Sequence, residues 1–210
     1  MKLIIFDLDG TLLDTLTDIT NSVNYTLKHF NQPLRQEEEI KYFLGQGPKY
    51  LLTHAFQEIT DYEKVYAVYN NHYQRHQHDN TKPYDGVKET LDALKKTDIL
   101  LAVCSNKQDA ITKSLITSLF PNTFDYVIGT SDKLRRKPAS DMPNHIIKTL
   151  NVSKEDVLYI GDTETDMLTA QNTGIKAIAV TYGFRSEAEL EIYKPYKIIN
   201  NLKEILKIVP

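Results

Sequence analysis

Cysteine occurs once among the 210 residues, at Cys104, which excludes an internal disulfide and any zinc site built from cysteines. No apolar run approaches the ~18 residues that a membrane span needs. Met1-Lys2 is followed by only four apolar residues before Asp7, too few for a secretory core segment. The expectation is a cytoplasmic protein without membrane contact. An excess of one charge is missing too: 25 Lys and Arg stand against 28 Asp and Glu, for a formal net charge of −3. That balance offers no general attraction to nucleic acid and points to small molecules as partners. No internal repeat or low-complexity tract is visible. Cys104, at the end of the run Ile99-Leu100-Leu101-Ala102-Val103, reads as a small buried hydrophobe.

Against these absences, 41% of the residues are hydrophobic, enough for a sizeable core in one large domain or in one domain with an insertion. Short apolar, β-rich runs recur at Leu3 to Phe6, Ile99 to Cys104, Tyr126 to Ile128, Val157 to Ile160 and Ala177 to Val180, mostly separated by segments with helical spacing. This alternation predicts an α/β fold, a Rossmann-like parallel sheet core flanked by helices. A strand at Tyr196 to Ile199 and a helix through Leu202, Ile205 and Leu206 are expected to complete it. Residues 15–81 break the alternation and read as an inserted all-helical domain, leaving 1–14 and 82–210 as the α/β core. Leu16, Ile19, Val23, Leu27 and Phe30 mark its first helix, and Pro33 and Gly45-Gln46-Gly47-Pro48 punctuate it. A third helix follows through Leu51, Leu52, Ala55 and Phe56, and a fourth begins near Tyr62. The connections near Asp14-Thr15 and Asp79 to Tyr84 are polar, and a lid closing over a site is the natural use of such an insertion.

Four stations carry chemistry, each after a strand. In Phe6-Asp7-Leu8-Asp9-Gly10-Thr11, side chains two residues apart on extended backbone share a face, so Asp7 and Asp9 reach one small volume at the carboxyl end of a buried strand, where α/β sheets bind ligands. Ser105-Asn106-Lys107 offers a hydroxyl and free backbone N–H groups where a helix is expected to begin, suited to phosphate oxygens. Lys137-Pro138 ends the basic run Lys133-Leu134-Arg135-Arg136-Lys137, ahead of a helix for which Ser140 is the expected cap. Gly161-Asp162-Thr163-Glu164-Thr165-Asp166 again places carboxylates at a strand end. For Asp166, one turn into a helix, stabilising the helix dipole is the alternative to a role in the site. His72 and His76, four residues apart, lack a completing carboxylate or cysteine at helical spacing and read as an exposed helix end.

The ordered set Asp-x-Asp-Gly-Thr, Ser-Asn-Lys, Lys-Pro and Gly-Asp-x-x-x-Asp resembles the haloacid dehalogenase superfamily of phosphotransferases. The helical insertion after the first station matches that superfamily's cap domain. Phe43-Leu44-Gly45-Gln46-Gly47, Tyr84-Asp85-Gly86-Val87 and Tyr182-Gly183-Phe184 look most like its phosphoglycolate phosphatase branch. The resemblance implies a magnesium-dependent phosphatase acting on a small phosphorylated metabolite, phosphoglycolate first, as a monomer or homodimer.

A carboxylate attacking a phosphate dianion needs fixed cations, and Asp7, Asp9, Asp162 and Asp166 supply the oxygen-rich surroundings that Mg2+ prefers. Asp7 is then the nucleophile. By resemblance, the ion sits on the Asp7 carboxylate, the Asp9 backbone carbonyl and Asp162, with Asp166 orienting its water or Lys137. Asp9 would be acid and then base, and Lys137 with Ser105, helped by backbone N–H groups near Asn106, would stabilise the transferring phosphoryl group. By resemblance, Gly10 and Thr11 in the first loop are expected to bind substrate, as is Asn106. The resemblance places Gly45, Gln46 and Lys49 where caps touch the leaving group, although a plain helix-to-helix turn explains them as well. A β-phosphoglucomutase-like mutase usually carries adjacent acids in the last station, whereas here they are spaced, and an inorganic pyrophosphatase of the same branch stays open. A noncatalytic phosphometabolite-binding regulator would be expected to have lost a station. The one small departure is Ser140 where many relatives have a second proline.

Overall fold

The computed structural model describes residues 1–209. Six parallel strands form the central sheet: β1 (Leu3–Phe6), β4 (Leu100–Gln108), β5 (Tyr126–Thr130), β6 (Val157–Gly161), β7 (Lys176–Val180) and β8 (Lys197–Ile199), in the order β5-β4-β1-β6-β7-β8. All four residues of β1 are buried. Ile4 and Phe6 join one core cluster, whereas Leu3 and Ile5 join the other. The period-two alternation thus fills both faces, which is why the strand reads as one unbroken apolar run. Helices α5 (Val87–Leu94), α6 (Asp109–Leu119), α7 (Asp141–Thr149), α8 (Glu164–Thr173) and α9 (Glu187–Glu191) follow strands or precede them. Because β1 lies between β4 and β6, the chain leaves it in opposite directions across the sheet, and the crevice at these three carboxyl ends is the natural ligand site.

Four helices lie between β1 and α5: α1 (Leu16–His29), α2 (Glu37–Tyr42), α3 (Pro48–Ala55) and α4 (Tyr62–His76). Val23, Leu27, Leu52 and Tyr73, at helical spacing, supply their buried faces. Two strands of two residues each, β2 (Leu13–Asp14) and β3 (Lys82–Pro83), pair antiparallel and frame this block. They were not expected: two residues carry no periodicity, and Pro83 argues against a strand. Asp18, at the start of α1, ties the frame together by accepting hydrogen bonds from Asn80 N and Nδ2 and from Thr81 N and Oγ1 at 2.8–3.0 Å. His72, expected at an exposed helix end, is half-buried, stacked on Tyr25 and His76 and hydrogen-bonded to Ser22 Oγ. Asp79 supplies the carboxylate partner of His76.

Two expectations are corrected toward the C-terminus and α7. The last helix is a 3₁₀ turn, Leu202–Lys207; with three residues per turn, Leu202 and Ile205 share the buried face while Leu206 is exposed. Ser140 stands at the N-cap position of α7, but its hydroxyl makes no capping bond. Cys104 is fully buried, and burial pushes its thiol up to about 12. Among the described residues, no helix is long and apolar enough to cross a membrane.

Candidate active site

The first acid is placed by the sheet itself. Asp7 continues β1, its N–H donating to Ile160 O of the neighbouring strand at 2.8 Å. Its carboxylate lies under a cavity of about 60 Å³. Lys137, on the loop between β5 and α7, is 2% exposed and donates from Nζ to Asp7 Oδ1 and to Asp166 Oδ1, both at 2.7 Å. Burial alone would strip this lysine of its proton, but Asp166 and Asp7 outweigh it and hold Lys137 above the ordinary lysine range. In the other direction, burial pushes the Asp7 carboxyl up to about 7; the Asp166 charge adds to this and Lys137 opposes it.

Asp162 follows β6 and is fully buried. Thr11 Oγ1 donates to its Oδ1 at 2.7 Å and Phe184 N to its Oδ2 at 2.9 Å. Burial, with the charges of Asp166 and Asp7, drives this carboxyl well above the usual range. Gly10, at φ +85°, packs so tightly here that a Cβ would collide with the Asp162 carboxylate. Thr11, fully buried, therefore serves Asp162 rather than the cavity. Asp166 resolves the choice left open by its spacing, because it does two things at once. Its Oδ2 closes the capping box of α8 by accepting from Thr163 N and Oγ1, and it also takes Asp162 N; its Oδ1 takes Lys137 Nζ and Tyr159 OH. With five donors, its lone pairs are spent.

Carboxylate oxygens of Asp7, Asp162 and Asp166 lie within 4.8 Å of one another. Three buried acids stand against one ammonium; burial is the main cause of the upward shifts of Asp7 and Asp162, and repulsion from the neighbouring carboxylates adds to it. The carboxylate oxygens of Asp7 and Asp162 are donors that a hard divalent cation fits, with Asp166 beside them already hydrogen-bonded.

Ser105 and Asn106 were expected at the start of a helix. Instead β4 runs on to Gln108, with its register against β5 shifting between Cys104 and Gln108. The irregular stretch turns Ser105, Asn106 and Lys107 toward the cavity. Asn106 binds two loops at once: its Nδ2 donates to Gly45 O at 2.9 Å and to Lys137 O at 3.0 Å, and its Oδ1 accepts from Lys137 N. Gly45 and Gly47 line the cavity from the helical block, together with Phe43, Tyr69 and Tyr73. Gln46 does not. Lys49 does not either: it is exposed, with Nζ 5.6 Å from the Tyr62 ring, and borders a separate open groove with Arg136. In the basic run, Lys133, Arg135 and Arg136 are exposed, and Arg135 pairs with Asp141.

Three residues given no role by their sequence position belong to the site. Lys107 Nζ pairs with Asp9 Oδ1 at 2.9 Å, and Thr15 Oγ1 donates to the same atom at 2.7 Å. Thr15 is the N-cap residue of α1 but makes no side-chain capping bond, its hydroxyl being spent on Asp9. Arg185, 7% exposed, is pinned by Glu164 Oε2 at 2.8 Å and donates to Lys41 O, Tyr42 O and Leu44 O at 3.1–3.2 Å, clasping the helical block onto the sheet. A lysine at the end of an apolar strand was the one available signal, for Lys107; nothing local marks Arg185.

The family model of the haloacid dehalogenase-like hydrolases matches residues 4–180. A phosphoglycolate phosphatase of Agrobacterium fabrum is 32% identical over 200 residues, covering 90% of this chain and 84% of that protein. One from Colwellia psychrerythraea is 29% identical over 215 residues, covering 98% and 95%. A haloacid dehalogenase-like family hydrolase from Streptococcus pneumoniae superposes with a TM-score of 0.90 at 26% identity, covering 99% of this chain and 98% of that one.

Proposed function

The chain belongs to the haloacid dehalogenase-like hydrolase family as a phosphatase, and from that premise we propose that it hydrolyses a small phosphate monoester, phosphoglycolate first, through an aspartyl phosphate on Asp7. The observation that carries this reading is Lys137 Nζ bridging Asp7 and Asp166 at 2.7 Å beneath a cavity of about 60 Å³. A cavity of this small size favours a small leaving group over a large one. Relatives at about 30% identity carry the name phosphoglycolate phosphatase.

In this reading residues 15–81 are the cap over a core of 1–14 and 82–210. Magnesium, held by the carboxylates of Asp7 and Asp162 and the backbone carbonyl of Asp9, would neutralise charge on the phosphate and so permit an anionic nucleophile to approach. Asp166, with its lone pairs already taken, orients Lys137 instead of ligating. The Asp7 carboxylate attacks phosphorus; the ester P–O bond breaks, and its electron pair goes to the leaving oxygen, which takes a proton from Asp9. Asp9 then takes a proton from the water that attacks phosphorus, and the P–O bond to Asp7 breaks, returning its carboxylate. Lys137 and the Ser105 hydroxyl hold the phosphoryl oxygens, Asn106 fixing the Lys137 loop. The same reading takes the protein as cytoplasmic, a monomer or homodimer.

The test is phosphate release from a panel of phosphoglycolate, sugar phosphates, nucleotides and pyrophosphate, with magnesium and with excess chelator. Magnesium-dependent release dominated by a small monoester supports the proposal. Release that survives the chelator, or a preference for pyrophosphate, defeats it.

A further inference from the structure

Among the described residues, Lys107 is the one basic residue lining the cavity above the acidic cluster. Its side chain is 8% exposed, with Nζ 2.9 Å from Asp9 Oδ1 and 4.6 Å from the centroid of the Tyr73 ring. The ammonium has therefore shed most of its water and stands between a carboxylate and an aromatic face. Tyr73, 1% exposed, lines the cavity as well, so the ammonium and this aromatic face border the same small space.

We infer that Lys107 is the specificity-determining residue, its ammonium passing from Asp9 to a carboxylate on the leaving group while staying beside the Tyr73 ring. This rests on the monoesterase reading above and adds what that reading lacks, a residue that recognises the part of the substrate beyond the phosphate. The span fits. Asp9 must reach the ester oxygen at a hydrogen-bond distance of about 3 Å, so that oxygen lies within roughly 6 Å of Lys107 Nζ. A carboxylate whose carbon is two bonds from the ester oxygen falls between the two. A neutral leaving group of the same size leaves Lys107 on Asp9 Oδ1, where it occupies the acid that must meet the ester oxygen. A second phosphate is bulkier than a carboxylate and suits the small cavity less well.

The experiment compares phosphoglycolate with its neutral isostere, phosphoglycolamide, in the magnesium-loaded enzyme. Wild type is expected to prefer the acid in kcat/KM by at least about 30-fold, the effect of one desolvated charge pair. Lys107→Met should reduce that ratio to near one, and Lys107→Arg should restore part of it. Equal kcat/KM for acid and amide in wild type overturns the inference with no variant needed, and so does a Lys107→Met enzyme that keeps the preference. Phosphate release from neither ester, nor from any other in the panel, defeats the phosphatase reading and the inference together. Rapid release from the amide alone defeats only the role of Lys107.

Discussion

Truncating Arg185 to alanine should loosen the helical block from the sheet while leaving every reacting group in place. The guanidinium gives three hydrogen bonds to Lys41 O, Tyr42 O and Leu44 O, and it is held in position by Glu164. A bond from a charged donor is worth about 1.5–3 kcal/mol when its loss leaves a buried acceptor bare. These carbonyls end a six-residue helix and its following loop, where water can take over, so about 1 kcal/mol each is the better figure and about 3 kcal/mol the total. At 1.4 kcal/mol per factor of ten, the closed-to-open ratio falls about 100-fold. If binding requires closure, that population appears as a rise in KM, because saturating substrate pulls the block shut again. Arg185→Ala should therefore lower kcat/KM by about 10- to 100-fold, mostly through KM, and increase amide hydrogen exchange over residues 41–47. Arg185→Lys, a point charge without the planar fork, should fall between. A KM within twofold of wild type, or a loss confined to kcat with exchange unchanged, would refute the clasp.

Asp7→Asn removes the nucleophile, and turnover should fall by about 10⁴-fold or more; wild-type-like activity, with mass spectrometry excluding deamidation, would end the aspartyl-phosphate route. Burial acts to raise the pKa of Asp18, but hydrogen bonds from Asn80 and Thr81 outweigh it and hold the carboxyl below its usual 3.8. Because the folded value is the lower one, its stabilisation is present above 3.8 and is lost as pH falls through the folded value. Asp18→Asn should thus cost about 2–4 kcal/mol in urea unfolding at neutral pH, with the gap to wild type closing as the medium becomes more acidic than 3.8; a gap independent of pH would contradict this. Lys49→Ala should leave both KM and kcat within twofold of wild type, since Lys49 is exposed and outside the cavity; a tenfold rise in KM would restore it to the substrate's path.

Much of the sheet and its acids was legible because both rest on local pattern. An apolar run buried on two faces and ending in Asp7 or Asp162 has few other readings, since unpaired carboxylates at such a place are costly. Lys137, at the end of a basic loop run, was marked by the resemblance of its Lys-Pro station and not by local pattern. Lys107 was quoted within its motif but gained no role, because its partner Asp9 is almost a hundred residues away and only the β1 and β4 register brings them together. Thr15 stood out only as part of a polar connection, and its hydroxyl donates to Asp9 instead of capping α1. Lys49 drew attention through its neighbours Gly45 to Pro48, yet a turn of helix carries it to the outer side of α3. Strands β2 and β3 are too short to leave a trace in composition.

The core grips the helical block through main-chain atoms alone at four points: Arg185 on the carbonyls of Lys41, Tyr42 and Leu44, and Asn106 on that of Gly45. A carbonyl oxygen is the same whatever side chain its residue bears. If the helical block is the lid proposed above, the side chains of this loop can diverge, altering which molecules are admitted, without loosening the grip on its backbone. Holding a variable surface by its invariant backbone separates the evolution of selectivity from the maintenance of chemistry. Exchanging residues 41–45 with those of a relative of different preference should transfer recognition at little cost in closure.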